Sequence, residues 1–318
     1  MKINNLTNEL TNNIIESQLQ DWPLARENFM NLGRTRRKRV NLGALAGGVQ
    51  FNPARIRSTG ADVSKEAVAK RACFLCKANL PAEQLRFEWP APGWTLLVNP
   101  YPILPVHFTI VSDRHEPQAG IPLDMAVMAE RAPHLLFFYN GARAGASAPD
   151  HLHVQAVLKD ELPLVKLVEN LDPETRGGGF RHSADLSDNL PFHFLSGIIT
   201  PDIDGLIALR NLNNICGIDA DTGEPDSALL NAFFWIGSTG LLRVVIIPRR
   251  AHRPRIYGAD ENNLMVSPGA IDMAGIIITP REEDFEKLDS ETITGIYADT
   301  AFATLLPEII LRQAGILK

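Results

Sequence analysis

The chain has few cysteines and no long apolar run. Its 318 residues contain three cysteines, an odd number that does not make a disulfide framework. No apolar stretch approaches the ~20 residues that a membrane-spanning helix needs. The polar, asparagine-rich start, MKINNLTNELTNN, lacks the basic and then apolar layout of a secretory signal. We therefore expect a cytoplasmic protein with no membrane partner.

Positive charge is also scarce. The chain has 31 Lys and Arg against 37 Asp and Glu, and its formal net charge is −6. This balance argues against a large nucleic-acid-binding surface. The run from Arg34 to Arg39 is a local exception. Such a run is usually a solvated face, and the alternative is phosphate binding.

Strand-like and helix-like segments alternate along the chain, whose composition is 45% hydrophobic and 21% charged. Short apolar runs predict strands, and apolar residues at helical spacing predict helices. The expected fold class is therefore α+β. Strands are predicted at residues 94–105, 107–113, 134–140, 151–158, 231–237 and 241–250, and helices within the first thirty residues and near 65–71, 124–131 and 161–171.

The two halves of the chain show signs of a duplication. HFTIVSDRHEP (107–117) aligns with RVVIIPRRAHRP (243–254) when one inserted residue is allowed. The glycine run Gly177 to Gly179 predicts a loop or junction between the halves. We therefore divide the chain into residues 1–172 and 173–318.

The segment His151-Leu152-His153-Val154-Gln155 is the strongest chemical signal. In a strand, alternate residues point the same way, so two imidazoles and one amide are predicted to share a face. Neutral imidazole is both a nucleophile and a metal ligand near neutral pH. The alternative is a buried strand whose polar face is satisfied by local hydrogen bonds.

A second signal is the pair Cys73 and Cys76. The two intervening residues let both thiolates of a tight turn reach one zinc ion. Tetrahedral zinc needs two more ligands, and the plausible donors are His115 and His151. These four residues are predicted to form a closed structural zinc site; the alternative is two buried thiols in a helical turn.

Together, CFLC, NPYPILPVHFTIVSDRHEPQ and NGARAGASAPDHLHVQ resemble the histidine triad superfamily, specifically its transferase branch. That branch includes galactose-1-phosphate uridylyltransferases, diadenosine tetraphosphate phosphorylases and GDP-hexose phosphorylases. The resemblance implies two fused halves of the same fold, each an antiparallel sheet with packed helices. It places the active site in the first half and makes the second half a degenerate copy.

The resemblance also implies roles for individual residues. His153 falls on the nucleophile, and Gln155 falls where hydrolytic members carry a third histidine. Cys73, Cys76, His115 and His151 fall on the metal ligands of zinc-containing members. The positions implied for substrate binding are Asn99, Asn140, Gly141, Arg143, Gly145 and Ser147.

The implied activity is nucleotidyl transfer or phosphorolysis through a covalent nucleotidyl-histidine. The substrate would be a dinucleoside polyphosphate or nucleotide sugar, the acceptor phosphate or a sugar phosphate, and a homodimer is possible. His-Leu-His replaces the His-Pro-His of uridylyltransferases, and one additional residue separates Ser147 from the nucleophile, so the phosphorylases resemble the chain more closely. The alternatives are a nucleotide hydrolase and a non-catalytic, zinc-stabilised nucleotide-binding module.

Other polar residues give weaker signals. His107 is expected to be structural. Two other groups of residues either take part in function or have ordinary roles in a turn or at the end of a strand. The groups are Gln50, Asn52 and Arg55, in a turn punctuated by Asn-Pro, and His252, Arg253 and Arg255, which would add positive charge to a phosphate pocket.

Overall fold

The computed structural model describes residues 2–60, 62–172, 179–200 and 202–317. Gly177 and Gly178, part of the predicted junction, lie outside the described residues. The described α-helices are α1 (Asn8–Asp21), α2 (Pro23–Leu32), α3 (Ile56–Thr59), α4 (Lys65–Ala69), α5 (Asp124–Arg131), α6 (Pro163–Leu171), α7 (Ile203–Asn211), α8 (Ala270–Met273), α9 (Glu282–Lys287), α10 (Ser290–Thr300) and α11 (Glu308–Gln313). None of them is long and apolar enough to cross a membrane.

The described strands form one large sheet and two small ones. The strands are β1 (Arg36–Leu42), β2 (Leu45–Phe51), β3 (Phe87–Glu88), β4 (Trp94–Val98), β5 (His107–Ser112), β6 (Leu135–Asn140), β7 (His153–Leu158), β8 (Gly179–His182), β9 (Leu195–Ile199), β10 (Gly217–Ile218), β11 (Pro225–Asp226), β12 (Leu230–Ile236), β13 (Leu242–Pro248) and β14 (Ile276–Thr279). The large sheet has nine strands in the order β3-β4-β5-β7-β6-β12-β13-β9-β8. Its neighbouring strands all pair antiparallel.

The large sheet is built from two copies of one arrangement. Read from the outside inwards, the first copy is β4-β5-β7-β6 and the second is β8-β9-β13-β12. In both copies a helix, α5 or α7, follows the second strand in the chain. The two copies meet where β6 pairs with β12, with Phe137 opposite Phe234. The chain therefore has the expected α+β fold of two fused, similar halves.

The alignment that suggested the duplication is wrong in its register. It matches β5 with β13, whereas the strand order makes β9 the counterpart of β5 and β13 the counterpart of β7. Short apolar strands followed by basic residues resemble one another, so a match of this length does not distinguish neighbouring strands. The counterpart of the histidine strand is therefore LRVVIIP, which contains no histidine.

The nine-stranded sheet has an apolar core on each face. Phe137 and Tyr139 face one cluster, which α5 and α7 help to cover, while Leu136 and Phe138 face the other. Both faces are covered, so the central strands are apolar throughout. Burying one such phenylalanine contributes about 1.5–3 kcal/mol.

The basic run Arg34 to Arg39 lies largely in β1, at the edge of a three-stranded sheet ordered β1-β2-β14. Arg36 forms ion pairs with Glu282 and Glu286 of α9. The run is thus a solvated, ion-paired face and does not line the cavity described below. Because β14 comes from the second half, this sheet also joins the two halves.

Candidate functional site

The segment His151 to Gln155 begins two residues before its strand. β7 starts at His153, so His153 and Gln155 share a face, while His151 precedes the strand. The expectation that all three side chains line one strand face is therefore wrong. His151 points into a cysteine and histidine cluster, whereas His153 and Gln155 line a cavity. Val154 and Ala156 point to the opposite, apolar side as predicted.

His153 is held in one tautomer. Its ring Nδ1 lies 2.8 Å from the carbonyl oxygen of His151. A carbonyl oxygen only accepts, so Nδ1 carries the proton and donates it. Nε2 is then the unprotonated nitrogen, and it has no hydrogen-bond partner in the described part of the chain. Burial lowers the pKa of His153 to about 4, which keeps the ring neutral.

Gln118 fixes the start of β7. Its amide oxygen accepts the backbone N–H of His153 at 2.9 Å, and its amide nitrogen donates to the carbonyls of His153 and Asn140. Gln118 is buried and joins the end of β6 to the start of β7. Sequence patterns do not indicate this role, because a buried glutamine is recognisable only from its surroundings.

The cavity has a volume of about 580 Å³ and receives residues from both halves. Six of the predicted catalytic and substrate-binding residues line it. They are Asn99, Asn140, Gly145, Ser147, His153 and Gln155. The second half contributes His252, Arg253, Ser267 and Gly269 to the same wall.

Gly141 and Arg143 do not line this cavity. Arg143 pairs with Asp219 at 2.6 Å and with Asp226 at 2.5 Å, and both carboxylates belong to the second half. A Cβ on Gly141 would lie 2.3 Å from the carbonyl oxygen of Ala228. These two positions hold the loop after β6 against the second half and lie outside the lining of the cavity.

Gly145 brings the same loop against the second half at the cavity wall. Its φ of 98° lies in the left-handed region, and an added Cβ would come within 2.5 Å of the Cα of Gly269. Only glycine satisfies both requirements without a backbone shift. Ser147 follows two residues later and faces the cavity.

The side chains of the two predicted asparagines form hydrogen bonds within the protein. The side-chain oxygen of Asn140 accepts from the side chain of Asn231 at 2.9 Å and from the backbone of Ala270 at 2.8 Å. Asn99 donates to the hydroxyl of Thr109 at 3.1 Å. Thr109 also lines the cavity. These contacts fix both amides at the cavity wall.

Three arginines give the cavity positive charge. Arg55, Arg71 and Arg253 all line it. Burial lowers the pKa of Arg55 to about 10, so it stays charged near neutral pH. Arg71 donates to the carbonyl of Ser147 at 3.2 Å, which ties it to the loop after β6.

The weaker candidates divide between the cavity and the body of the protein. Arg55, His252 and Arg253 line the cavity, and burial is the main cause that lowers the pKa of His252 to about 3. Arg255 instead pairs with Asp299 at the surface. Gln50 and Asn52 donate to the backbone carbonyls of Ile103 and Pro102, which is a structural role.

His107 contacts Gln155 directly. Its Nε2 lies 2.8 Å from the side-chain oxygen of Gln155. His107 is fully buried on β5, on the same face as Thr109. The alternation of His107 and Thr109 with the apolar Phe108 and Ile110 was a signal that His107 lies on the polar face of β5.

Cys73, Cys76, His115 and His151 form one cluster, with ligand atoms all within 4.8 Å of one another. The Sγ atom of Cys73 lies 3.2 Å from Nδ1 of His151, and that of Cys76 lies 3.3 Å from Nδ1 of His115. Nε2 of His151 donates to the carbonyl of Ser112 at 2.8 Å, which leaves Nδ1 available for a metal. Two thiolates and two imidazoles so arranged fit tetrahedral zinc.

Solved structures of one Ap4A phosphorylase have a similar fold. The crystal structure of yeast Ap4A phosphorylase Apa2 has a TM-score of 0.54 and 16% sequence identity, over 88% of this chain and 96% of that one. The same enzyme in complex with Ap4A gives 0.54 and 15%, over 91% and 97%. This chain has the Ap4A phosphorylase fold. The fold predicted from the histidine triad resemblance is thereby confirmed.

Another solved structure and one family model match less of the chain. An ADP-glucose phosphorylase from Arabidopsis thaliana with bound ADP-glucose gives a TM-score of 0.31 and 15% identity, over 82% of this chain and 98% of that one. Residues 14–158 match the family described as "Domain of unknown function (DUF4922)". That match ends with the last residue of β7. No curated protein sequence matches the chain.

Proposed function

We propose that the protein is a nucleotidyltransferase of the phosphorylase kind, acting through a covalent nucleotidyl group on His153. Its substrate would be a dinucleoside polyphosphate or a nucleotide sugar, and its acceptor phosphate or a sugar phosphate. The observation that carries this proposal is the neutral His153 ring, with Nδ1 bound to a carbonyl and Nε2 unpartnered among the described residues at the cavity. Such a ring is a nucleophile held ready for in-line attack.

The reaction would take two displacements. In the first, Nε2 of His153 attacks the α-phosphorus, a phosphorus–nitrogen bond forms, and the bond to the leaving phosphate group breaks with its electron pair. The ring becomes a cation, and the His151 carbonyl stabilises the proton on Nδ1. In the second, an oxygen of the acceptor phosphate attacks the same phosphorus, and His153 leaves as neutral imidazole.

The cavity supplies charge where the phosphates would lie. Arg55, Arg71 and Arg253 line it. Ser147 also lines it and belongs to the loop in which Gly145 packs against Gly269 of the second half. Fixed donors and cations stabilise charge on the nonbridging oxygens of a phosphoryl transition state. Gln155 has no acidic proton to give, unlike a third histidine, which favours leaving groups that are already stable anions.

The cluster of Cys73, Cys76, His115 and His151 would hold a structural zinc ion. Bound zinc would tie the cysteine turn to the residue that begins the histidine segment. His151 also supplies the carbonyl that orients His153, so the position of this backbone matters to both sites. No step of the proposed reaction involves the metal.

The test is to trap the intermediate. The protein is incubated with Ap4A or a nucleotide sugar labelled at the α-phosphate, and we expect an acid-labile, base-stable protein adduct. His153→Ala is expected to abolish it, whereas His134→Ala, which changes a histidine outside the cavity, is expected to retain it. An adduct that persists in His153→Ala would contradict the mechanism.

The acceptor is tested by product analysis. With a phosphorylase, release of nucleotide requires added phosphate or sugar phosphate, and that group appears in the product. Release of mononucleotide in water alone would instead indicate a hydrolase. Binding of nucleotide without turnover in any condition would indicate a non-catalytic module.

A further inference from the structure

The orientation of the Gln155 amide is set by a residue outside the histidine segment. His107 lies on β5, next to β7, and its side chain is fully buried. Its two ring nitrogens each have one partner. The backbone N–H of Ile103 approaches Nδ1 at 3.2 Å, and the side-chain oxygen of Gln155 lies 2.8 Å from Nε2.

These two contacts leave one consistent tautomer. A backbone N–H can only donate, so Nδ1 of His107 is unprotonated. In a neutral imidazole the proton is then on Nε2, which donates to its partner. Burial is the main cause, with the charge of Arg55 second, that lowers the pKa of His107 to about 3, consistent with a neutral ring.

The tautomer of His107 decides which end of Gln155 it binds. An N–H donor requires the amide oxygen, so the NH₂ group must take the other position. That NH₂ group has no partner among the described residues, and Gln155 lines the cavity beside His153. A flipped amide would place NH₂ against N–H and lose the bond.

We infer that His107 is a positioning residue, which holds Gln155 so that its NH₂ group donates to a phosphate oxygen of the bound substrate. This inference rests on the proposed function. His107 does not line the cavity and acts only through Gln155. The pair thus presents a fixed donor, where a freely rotating amide would present its oxygen to the phosphate part of the time.

The tautomer is tested without any assay of activity. Nitrogen-15 NMR of the intact protein labelled at histidine is expected to show His107 with a proton on Nε2 and none on Nδ1, assigned by comparison with His107→Phe. The opposite tautomer, or a doubly protonated ring at neutral pH, would overturn the inference. This result does not depend on the protein being a phosphorylase.

The functional arm is a double-mutant cycle in the phosphorolysis assay. Gln155→Ala is expected to lower kcat about 100-fold, as loss of one transition-state donor does. His107→Phe is expected to lower kcat about 10- to 100-fold with little change in KM. The double variant should be no slower than Gln155→Ala, because His107 has nothing left to position. Losses that multiply would overturn the inference.

Two further variants distinguish loss of the amide donor from a general loss of stability. Gln155→Glu keeps the size and the oxygen that accepts from His107 but removes the donor, so we expect the loss seen with alanine. Full activity of this variant would contradict the donor role. Val157→Ala opens a space opposite His107 in the strand register and should lower stability while leaving kcat unchanged.

The outcomes separate this inference from the proposed function. If the wild type shows no nucleotidyl transfer with phosphate or sugar phosphate, the proposed function fails while the tautomer result stands. If the wild type is active and His107→Phe equals it, only the positioning role fails.

Discussion

Single atoms decide which residues of the loop after β6 tolerate replacement. Gly145 combines a left-handed φ with a close approach to Gly269, whereas Gly240 has a φ of 79° and nothing within 4 Å of an added Cβ. The two glycines therefore separate the cost of backbone conformation from the cost of a clash.

We expect Gly145→Ala to lower the free energy of unfolding by about 2–4 kcal/mol, since it adds a clash to a strained φ. Gly240→Ala should cost only about 1–2 kcal/mol, because it has the strained φ alone. Urea unfolding measures both, and the phosphorolysis assay should show a loss only for Gly145→Ala. Equal costs would indicate that the loop moves aside freely.

Buried histidines should make the stability fall in acid. The pKa of His107 is lowered to about 3 by burial, below its ordinary value of 6.5. As pH falls below about 6.5, the unfolded chain binds a proton that the folded chain does not bind until near pH 3. The unfolding free energy therefore falls by up to roughly 1.4 kcal/mol per pH unit for this residue.

The acid dependence is measured by urea unfolding between pH 7 and pH 4.5. His107→Gln removes one titrating group, so its stability should fall less steeply than that of the wild type. Identical slopes would mean that His107 binds its proton equally in both states. Above pH 7 the two slopes are expected to coincide.

Residue types and their local spacing indicated most of the side chains that the structure brings together, but not the contacts between them. His153, Gln155, Ser147 and the four metal-ligand candidates stand in short motifs, and the structure brings each group together. The ion pairs of Arg143 with Asp219 and Asp226 could not be predicted, because these partners lie far along the chain. Gln118 and His107 act through contacts between strands, which a single sequence does not display.

At the scale of elements, the turn that contains Cys73 and Cys76 meets the chain just before β7 at the cluster of Cys73, Cys76, His115 and His151. The described segment between α4 and β3 contains no helix or strand, and its buried apolar side chains belong to a small cluster separate from the two large cores. A zinc ion bound to Cys73, Cys76, His115 and His151 would therefore contribute much of its order.

We expect one zinc ion per chain, measured by elemental analysis of the purified protein. Cys76→Ser should abolish binding, while Cys216→Ser should retain it, because Cys216 is buried far from the cluster and contacts Gln313. Removal of the metal with a chelator should lower Tm by several degrees in the wild type and in Cys216→Ser. A full complement of zinc in Cys76→Ser would contradict this site.

Element order was predictable to a useful extent. Apolar periodicity located β5, β6, β12 and β13 within a few residues. It failed at the start of β7, because His151 lies in a bend, with its backbone N–H bonded to the carbonyl of Ala148, before the strand begins at His153. The sequence alignment of the two halves was wrong in its register, since similar short strands are matched correctly only when their neighbours in the sheet are known.

At the scale of the whole molecule, the two halves should unfold together. They share the pairing of β6 with β12 and that of β2 with β14, and both line the cavity. Trp235 is fully buried in the second half, while Trp22, Trp89 and Trp94 belong to the first.

Fluorescence of single-half variants checks this cooperativity. Trp235→Phe leaves reporters only in the first half, and replacing the other three tryptophans by Phe leaves one in the second. We expect each variant to show one urea midpoint that agrees with its own circular dichroism. Separate midpoints within one variant would show that the halves unfold independently.

The pairing of β6 with β12 also bears on how such a molecule arose. The two strands run antiparallel at the centre of two copies with the same strand order, so they are related as the two sides of a symmetric contact. A single half would leave the backbone donors and acceptors of β6 open along that edge. Two identical copies would satisfy them by pairing with each other. The chain therefore has the organisation of a symmetric dimer within one polypeptide, and only its first half carries the segment His151 to Gln155.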